Sequence, residues 1–100
     1  MLQYFSGEVY FRIVYPDASL LYPLVQSFVY IGKNLSDEDI EETWYFQFAD
    51  DYAKNGSLLD GQEGDRKVCC ENKETVSCML DQNGLNEELE MAAARRLEMK

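Results

Sequence analysis

The strongest hydrophobic pattern lies in the first half of the chain. From Glu8 to Tyr15, side chains alternate with the period of two that is typical of a β-strand. Residues 24–31 are rich in Val, Ile, Phe and Tyr on both faces, which predicts a central strand. A helix over residues 20–28 also fits the spacing of the leucines, but Pro23 inside it would cost about 3 kcal/mol. Residues 43–48, Thr-Trp-Tyr-Phe-Gln-Phe, predict a third strand.

The second half of the chain predicts shorter elements. Residues 50–56 are typical of a short helix that ends at Gly56. Lys67–Glu71 and Thr75–Leu80 can pair as a hairpin around Asn72-Lys73. Asn86 predicts the N-cap of a last helix that reaches about Met99. Its apolar side chains recur every four residues and are expected to face the sheet: Leu85, Leu89, Ala93 and Leu97.

These elements predict an α+β fold. We expect an antiparallel sheet of about four to five strands, with the C-terminal helix packed on one face. The chain has 100 residues, so we expect one domain over residues 1–100.

Charge is distributed unevenly along the chain. Nineteen acids against nine bases give a formal charge of −10, while 46% hydrophobic residues exclude a disordered acidic tail. Residues 1–35 have no net charge, and residues 66–100 carry a net charge of −1. The middle segment, residues 36–65, therefore carries −9, with Lys54 as its one base and ten acids: Asp37, Glu38, Asp39, Glu41, Glu42, Asp50, Asp51, Asp60, Glu63 and Asp65.

Several classes of function are disfavoured by composition. The chain has no histidine, which excludes a Ser-His-Asp triad, a Cys-His dyad and a histidine-ligated zinc site. An acidic surface without a basic stripe disfavours direct binding of nucleic acid. No segment approaches the eighteen apolar residues of a membrane span, and the N-terminus lacks the features of a signal peptide. We therefore expect a cytoplasmic protein with no membrane partner.

The cysteines and carboxylates do not form a recognisable catalytic or metal motif. Cys69, Cys70 and Cys78 match no zinc spacing, and we expect them to be buried free thiols. If the predicted hairpin forms, Cys69 lies opposite Cys78. Residues 60–71 resemble a calcium loop only in part, because Asp65 stands where the sharp turn requires glycine. We predict no catalytic residue, no metal ligand and no cofactor.

The acidic middle segment is the candidate binding surface. Carboxylates steer a basic partner, and a neighbouring aromatic ring can supply an apolar anchor. For Trp44 taken alone, a place in the core is the preferred interpretation. The predicted partner-binding residues are Asp37, Glu38, Asp39, Glu41, Glu42, Trp44, Asp50 and Asp51.

The sequence therefore favours a small acidic, non-catalytic protein-binding module. Such a regulator, inhibitor or immunity-type protein would occupy a basic surface of its protein partner through residues 36–65. One alternative is an inhibitor that mimics DNA and blocks a nucleic-acid-binding protein. Others are a small-ligand or metal-binding domain and a structural subunit of a larger assembly. The sequence leaves the oligomeric state open.

Overall fold

The structure is a computed structural model that describes residues 3–39, 41–60 and 66–99. Its strands are β1 (Val9–Val14), β2 (Leu24–Lys33), β3 (Trp44–Phe48) and β4 (Val68–Glu71). The α-helices are α1 (Ala49–Asn55) and α2 (Gln82–Glu98), and Leu58–Asp60 and Val76–Cys78 form short 3₁₀ helices. None of the helices in these ranges is long and apolar enough to cross a bilayer.

The four strands form one antiparallel sheet in the order β1-β2-β3-β4. This confirms the predicted α+β class and the three strands of the first half, with β2 in the interior of the sheet. Pro23 comes directly before β2, where a strand tolerates it and a helix interior would not. The predicted short helix is α1, and it ends at Gly56, whose φ of 77° suits glycine.

One side of the sheet, which we call the aromatic face, forms the main core. Its buried side chains include those of Tyr10, Phe28, Tyr30 and Phe46. The Tyr30 and Phe46 rings lie 5.2 Å apart between centroids, and Tyr4 from the N-terminal segment packs over both. Such tilted and edge-to-face ring pairs add stability beyond the area that they bury.

Residues 72–80 cross the aromatic face, so the predicted hairpin of Lys67–Glu71 with Thr75–Leu80 is wrong. Val76 and Met79 belong to the buried core, and Leu80 exchanges two backbone hydrogen bonds with Phe11 at 2.7 and 2.8 Å. The chain thus passes from the β4 edge of the sheet to the β1 edge. Val76 and Met79 are three residues apart, which suits one helical turn with both side chains on the same side.

The crossing also changes the prediction for the cysteines. All three are free thiols, as expected, but Cys70 and Cys78 are exposed and Cys69 is half-buried. The expectation of three buried thiols is therefore wrong for Cys70 and Cys78. Without the hairpin, Cys69 and Cys78 are not strand neighbours.

An ion pair joins the two edge strands over the aromatic face. Arg12 Nη1 of β1 lies 3.0 Å from Glu71 Oε1 of β4, although two strands separate β1 from β4. The Arg12 guanidinium also stacks 5.0 Å from the Phe28 ring centroid and donates to Gln26. The sheet must be strongly coiled for this contact, and the β2–β3 bulge between Tyr30 and Gly32 increases its twist.

Helix α2 begins earlier than predicted. Its N-cap is Asp81, whose Oδ1 accepts from Gly84 N at 2.8 Å, so Asn86 lies inside the helix. The helix contacts β1, and Tyr15 just beyond β1 is hydrogen-bonded to both Glu88 and Arg95.

The buried side of α2 differs in part from the predicted stripe. Leu85 and Ala92 are buried, and Leu89 and Ala93 are half-buried. Leu97, which was predicted to face the sheet, is 68% exposed and lies beside the β1–β2 connection instead.

We predict that removing one partner of the Arg12–Glu71 ion pair destabilises the fold more than removing both. Arg12→Met should lower the free energy of unfolding by about 2–4 kcal/mol, because it leaves the Glu71 carboxylate buried without its cation. Urea denaturation measures this loss.

The double variant Arg12→Met/Glu71→Met is the control. Removing both charges should restore at least half of the lost stability, since a buried ion pair can often be replaced by apolar side chains. A single variant within 0.5 kcal/mol of wild type, taking about 0.5 kcal/mol as the range of ordinary surface changes, would contradict this prediction.

Candidate functional site

The acidic loop, residues 34–43, joins β2 to β3 and carries five carboxylates: Asp37, Glu38, Asp39, Glu41 and Glu42. Its two ends are closed by a pair of hydrogen bonds. Asn34 N donates to the Thr43 carbonyl at 2.8 Å, and Thr43 N donates to Asn34 Oδ1 at 2.8 Å. Asn34 has a φ of 55°, a left-handed conformation that asparagine accepts more readily than most residues.

A tight turn over residues 36–39 fixes the first part of this loop. Asp39 N donates to the Ser36 carbonyl at 3.1 Å, and Ser36 N donates back to Asp39 Oδ2 at 3.2 Å. Glu38 N donates to Ser36 Oγ at 3.2 Å. The turn therefore lies in a connection between two antiparallel strands, β2 and β3.

Tyr45 anchors the turn to the sheet. Its hydroxyl donates to Asp39 Oδ2 at 2.8 Å and lies 3.0 Å from Oδ1. The hydrogen bond to Asp39, followed by desolvation, raises the pKa of Tyr45 to about 12. The protonated hydroxyl thus holds Asp39 half-buried against the sheet.

The other carboxylates of the loop are exposed. Glu42 pairs with Lys33 at 3.0 Å, and the Lys33 ammonium lies 4.7 Å from the centroid of the Trp44 ring. Within the described ranges, the ion pairs found do not include Asp37, Glu38 or Glu41. These three carboxylates carry uncompensated charge at the surface.

Trp44 is part of the core. It is 6% exposed and belongs to the cluster on the aromatic face, as its preferred interpretation predicted. It cannot present an apolar anchor to a partner while it is buried there. Tyr45, the next residue, points to the other side of the sheet and is half-buried beside the exposed Cys70. Sequence reasoning missed Tyr45, although the alternation of β3 places it opposite to Trp44.

Asp50 and Asp51 lie apart from the acidic loop. They begin α1, at the other end of β3, and five strand residues span about 16 Å. Asp50 is exposed, and its Oδ1 accepts from Asp51 N at 2.9 Å. The predicted binding residues are therefore divided between two ends of the sheet.

Asp51 holds a buried network and is not available to a partner. It is 6% exposed, and its carboxylate accepts from Gln47 Nε2 at 2.7 Å, Asn55 Nδ2 at 2.9 Å and Lys67 N at 3.1 Å. Gln47 continues the network by donating to the Gly56 carbonyl at 2.9 Å. These bonds, with that of Asn55 the largest, hold the pKa of Asp51 below its ordinary value despite desolvation.

The charge at this second end is balanced among the residues that can be placed. Asp50, Asp51 and Asp60 are matched in number by Lys54, Arg66 and Lys67. Residues 61–65 lie outside the described residues; they include Glu63 and Asp65 and five of the twelve positions of the loop considered for calcium. In the described ranges, no group of three or more Cys, Asp and Glu side chains is arranged to hold a metal ion. Within the described part of residues 36–65, the uncompensated negative charge is therefore concentrated in the acidic loop.

Comparisons of the chain with protein-family models, with curated proteins and with solved structures found no match.

We predict that Asp51 is a stability residue. Asp51→Asn should lower Tm by roughly 5–10 °C, because an amide nitrogen would then face the donors of Gln47 or Lys67. Asp50→Asn removes the same charge at an exposed neighbour and should leave Tm within about 2 °C of wild type. Thermal unfolding followed by circular dichroism distinguishes the two variants, and equal losses would contradict the assignment.

The difference in Tm between wild type and Asp51→Asn should also depend on pH. Because folding lowers the pKa of Asp51 below 3.8, its contribution is complete well above that pH and is lost as the pH falls through the lower folded value. Tm measured from pH 7 down to about pH 2 should show the two curves converging at the acidic end. Parallel curves of Tm against pH would show that the ionised carboxylate of Asp51 does not cause the difference in stability.

Proposed function

We propose that this protein is a non-catalytic protein-binding module that docks a basic surface of its partner on the acidic loop. The observation that carries the proposal is a loop of fixed shape with five carboxylates and no base of its own. A regulator, an inhibitor and an immunity-type protein would all act in this way, by occupying a surface of the partner.

Electrostatics supports a cationic partner. Several carboxylates in one short loop repel each other, and a lysine- or arginine-rich surface relieves that repulsion. The same charges steer the partner during diffusion and so raise the association rate. The effect is screened by salt over about 8 Å at physiological ionic strength.

The rigidity of the loop supports specific docking. Hydrogen bonds between Asn34 and Thr43, within residues 36–39 and from Tyr45 hold the two ends and the first turn of the loop in place. Binding then costs less conformational entropy than it would for a mobile acidic tail. Tyr45 and Cys70 beside the loop supply a small, partly apolar surface that replaces the anchor first expected from Trp44.

The distribution of the acids favours local docking over mimicry of DNA. A duplex carries one charge per about 1.7 Å along its axis, so a mimic needs carboxylates along an extended face. In the described part of residues 36–65 the excess acids lie in one loop, while those near α1 are buried or balanced. No separate observation favours a ligand-binding domain.

The test removes charge from the loop while leaving its hydrogen bonds in place. We expect the triple variant Asp37→Asn/Glu38→Gln/Glu41→Gln to slow association with the partner at least tenfold, since these exposed carboxylates supply the steering. The wild-type protein, immobilised and exposed to lysate of the source cells at about 50 mM salt, should recover a basic protein that elutes as salt rises. Surface plasmon resonance with the recovered protein measures the rates.

The matched control removes three charges elsewhere. Glu87→Gln/Glu90→Gln/Glu98→Gln gives the same net charge through exposed residues of α2. The association rate of this control should lie within about threefold of the wild-type rate, because the control changes the overall charge but leaves the acidic loop intact. Equal losses in the two triple variants, or no recovered protein at low salt, would contradict docking on the acidic loop.

A further inference from the structure

A second surface, distant from the acidic loop, is apolar and uncovered. It is formed by the β1–β2 connection and the last turn of α2, where Tyr22 is 63%, Leu97 68% and Met99 71% exposed. Leu20 and Leu24 are also exposed, and a groove of about 540 Å³ runs between the connection and the helix. We call these five side chains and the groove the apolar patch.

The patch is held in shape by two arginines of α2. Arg95 Nε donates to the Leu20 carbonyl at 2.7 Å, and Arg96 Nη1 donates to the Leu21 carbonyl at 2.6 Å. Leu20 is fixed with a φ of 58°, which is uncommon for leucine and unfavourable unless its surroundings enforce it. The apolar side chains are therefore presented on an ordered backbone.

The size of the patch matches one half of a protein interface. Five side chains, each with about 150 Å² or more and roughly half to two-thirds exposed, leave roughly 400–500 Å² of apolar surface. A standard interface buries about 800 Å² per partner, of which roughly 57%, or about 450 Å², is apolar. The patch alone provides that apolar share.

Charge favours a second copy of this chain as the occupant. Residues 14–25 and 91–99 contain Asp17 and Glu98 against Arg95 and Arg96, and Glu88, which pairs with Arg95 at 3.4 Å, brings the net charge of this region to −1 in a chain of net charge −10. A contact between two acidic loops would instead bring like charges together. The ten residues of β2 place the acidic loop about 30 Å from Leu24, several times the Debye length.

We propose that the protein forms a twofold symmetric dimer through the apolar patch. The patch offers both protruding side chains and a groove, so two copies can each insert apolar side chains into the groove of the other, as a twofold interface requires. This arrangement leaves both acidic loops facing outward. The proposal is independent of the function assigned to the acidic loop.

Sedimentation equilibrium of the wild-type protein tests the proposal. At about 10–300 μM and 150 mM salt, we expect a mass twice that of the monomer, which persists at 500 mM salt because the contact is apolar. A monomer throughout this range would overturn the proposal, and so would a dimer that dissociates as salt rises. Neither result depends on whether the acidic loop binds a partner.

Variants locate the interface. Leu97→Glu should weaken dimerisation at least tenfold, and Tyr22→Asp, from the other side of the groove, should do the same. Both side chains are exposed in the monomer, so circular dichroism should show unchanged folding. The control is Phe5→Glu, since Phe5 is 56% exposed and lies before β1, at the opposite end of that strand from the patch. A control that dissociates as much as Leu97→Glu would overturn the assignment of the patch.

Discussion

The need to bury one aromatic sheet face determines most of this fold. The side chains of Tyr10, Phe28, Tyr30 and Phe46 lie on that face, and a sheet cannot leave such a surface in water. As far as the described residues show, the core cluster there contains no side chain of α2, and residues 72–80 with Tyr4 provide the cover. The crossing brings Leu80 to the free edge of β1, and the Arg12–Glu71 pair draws the two edge strands together over the same face.

The sequence predicted those parts of the fold that depend on local patterns. Alternation predicted the three strands of the first half, and Pro23 decided correctly between strand and helix. The hairpin was wrong because Asn72 forms the same kind of turn whether the chain returns along β4 or crosses the sheet. The start of α2 was misplaced because asparagine and aspartate are both common N-caps, and only the hydrogen bond from Gly84 N to Asp81 selects Asp81 over Asn86.

Charge counting identified residues 36–65 as the candidate site, but it gave no information on how these residues are arranged in space. In the structure, β3 separates the acidic loop from Asp50 and Asp51. The burial of Asp51 depends on Gln47, Asn55 and the backbone of Lys67, which come together only after folding. The result is a molecule with two distinct ends, a charged loop after β2 and a nearly neutral apolar patch before it. Long-range attraction acts at the first end and short-range packing at the second.

The position of residues 72–80 in the sequence also determines how long the aromatic face stays exposed during synthesis. β1, β2 and β3 are neighbours in sequence, so their pairing needs only local loop closure and can follow soon after Phe48 leaves the ribosome. Leu80 is made 32 residues later, which takes about 2–6 s at about 5–20 residues per second. During that interval the nascent chain displays an uncovered aromatic sheet. The aromatic sheet is therefore complete before the segment that covers it has been made, and aggregation is the main risk at that stage.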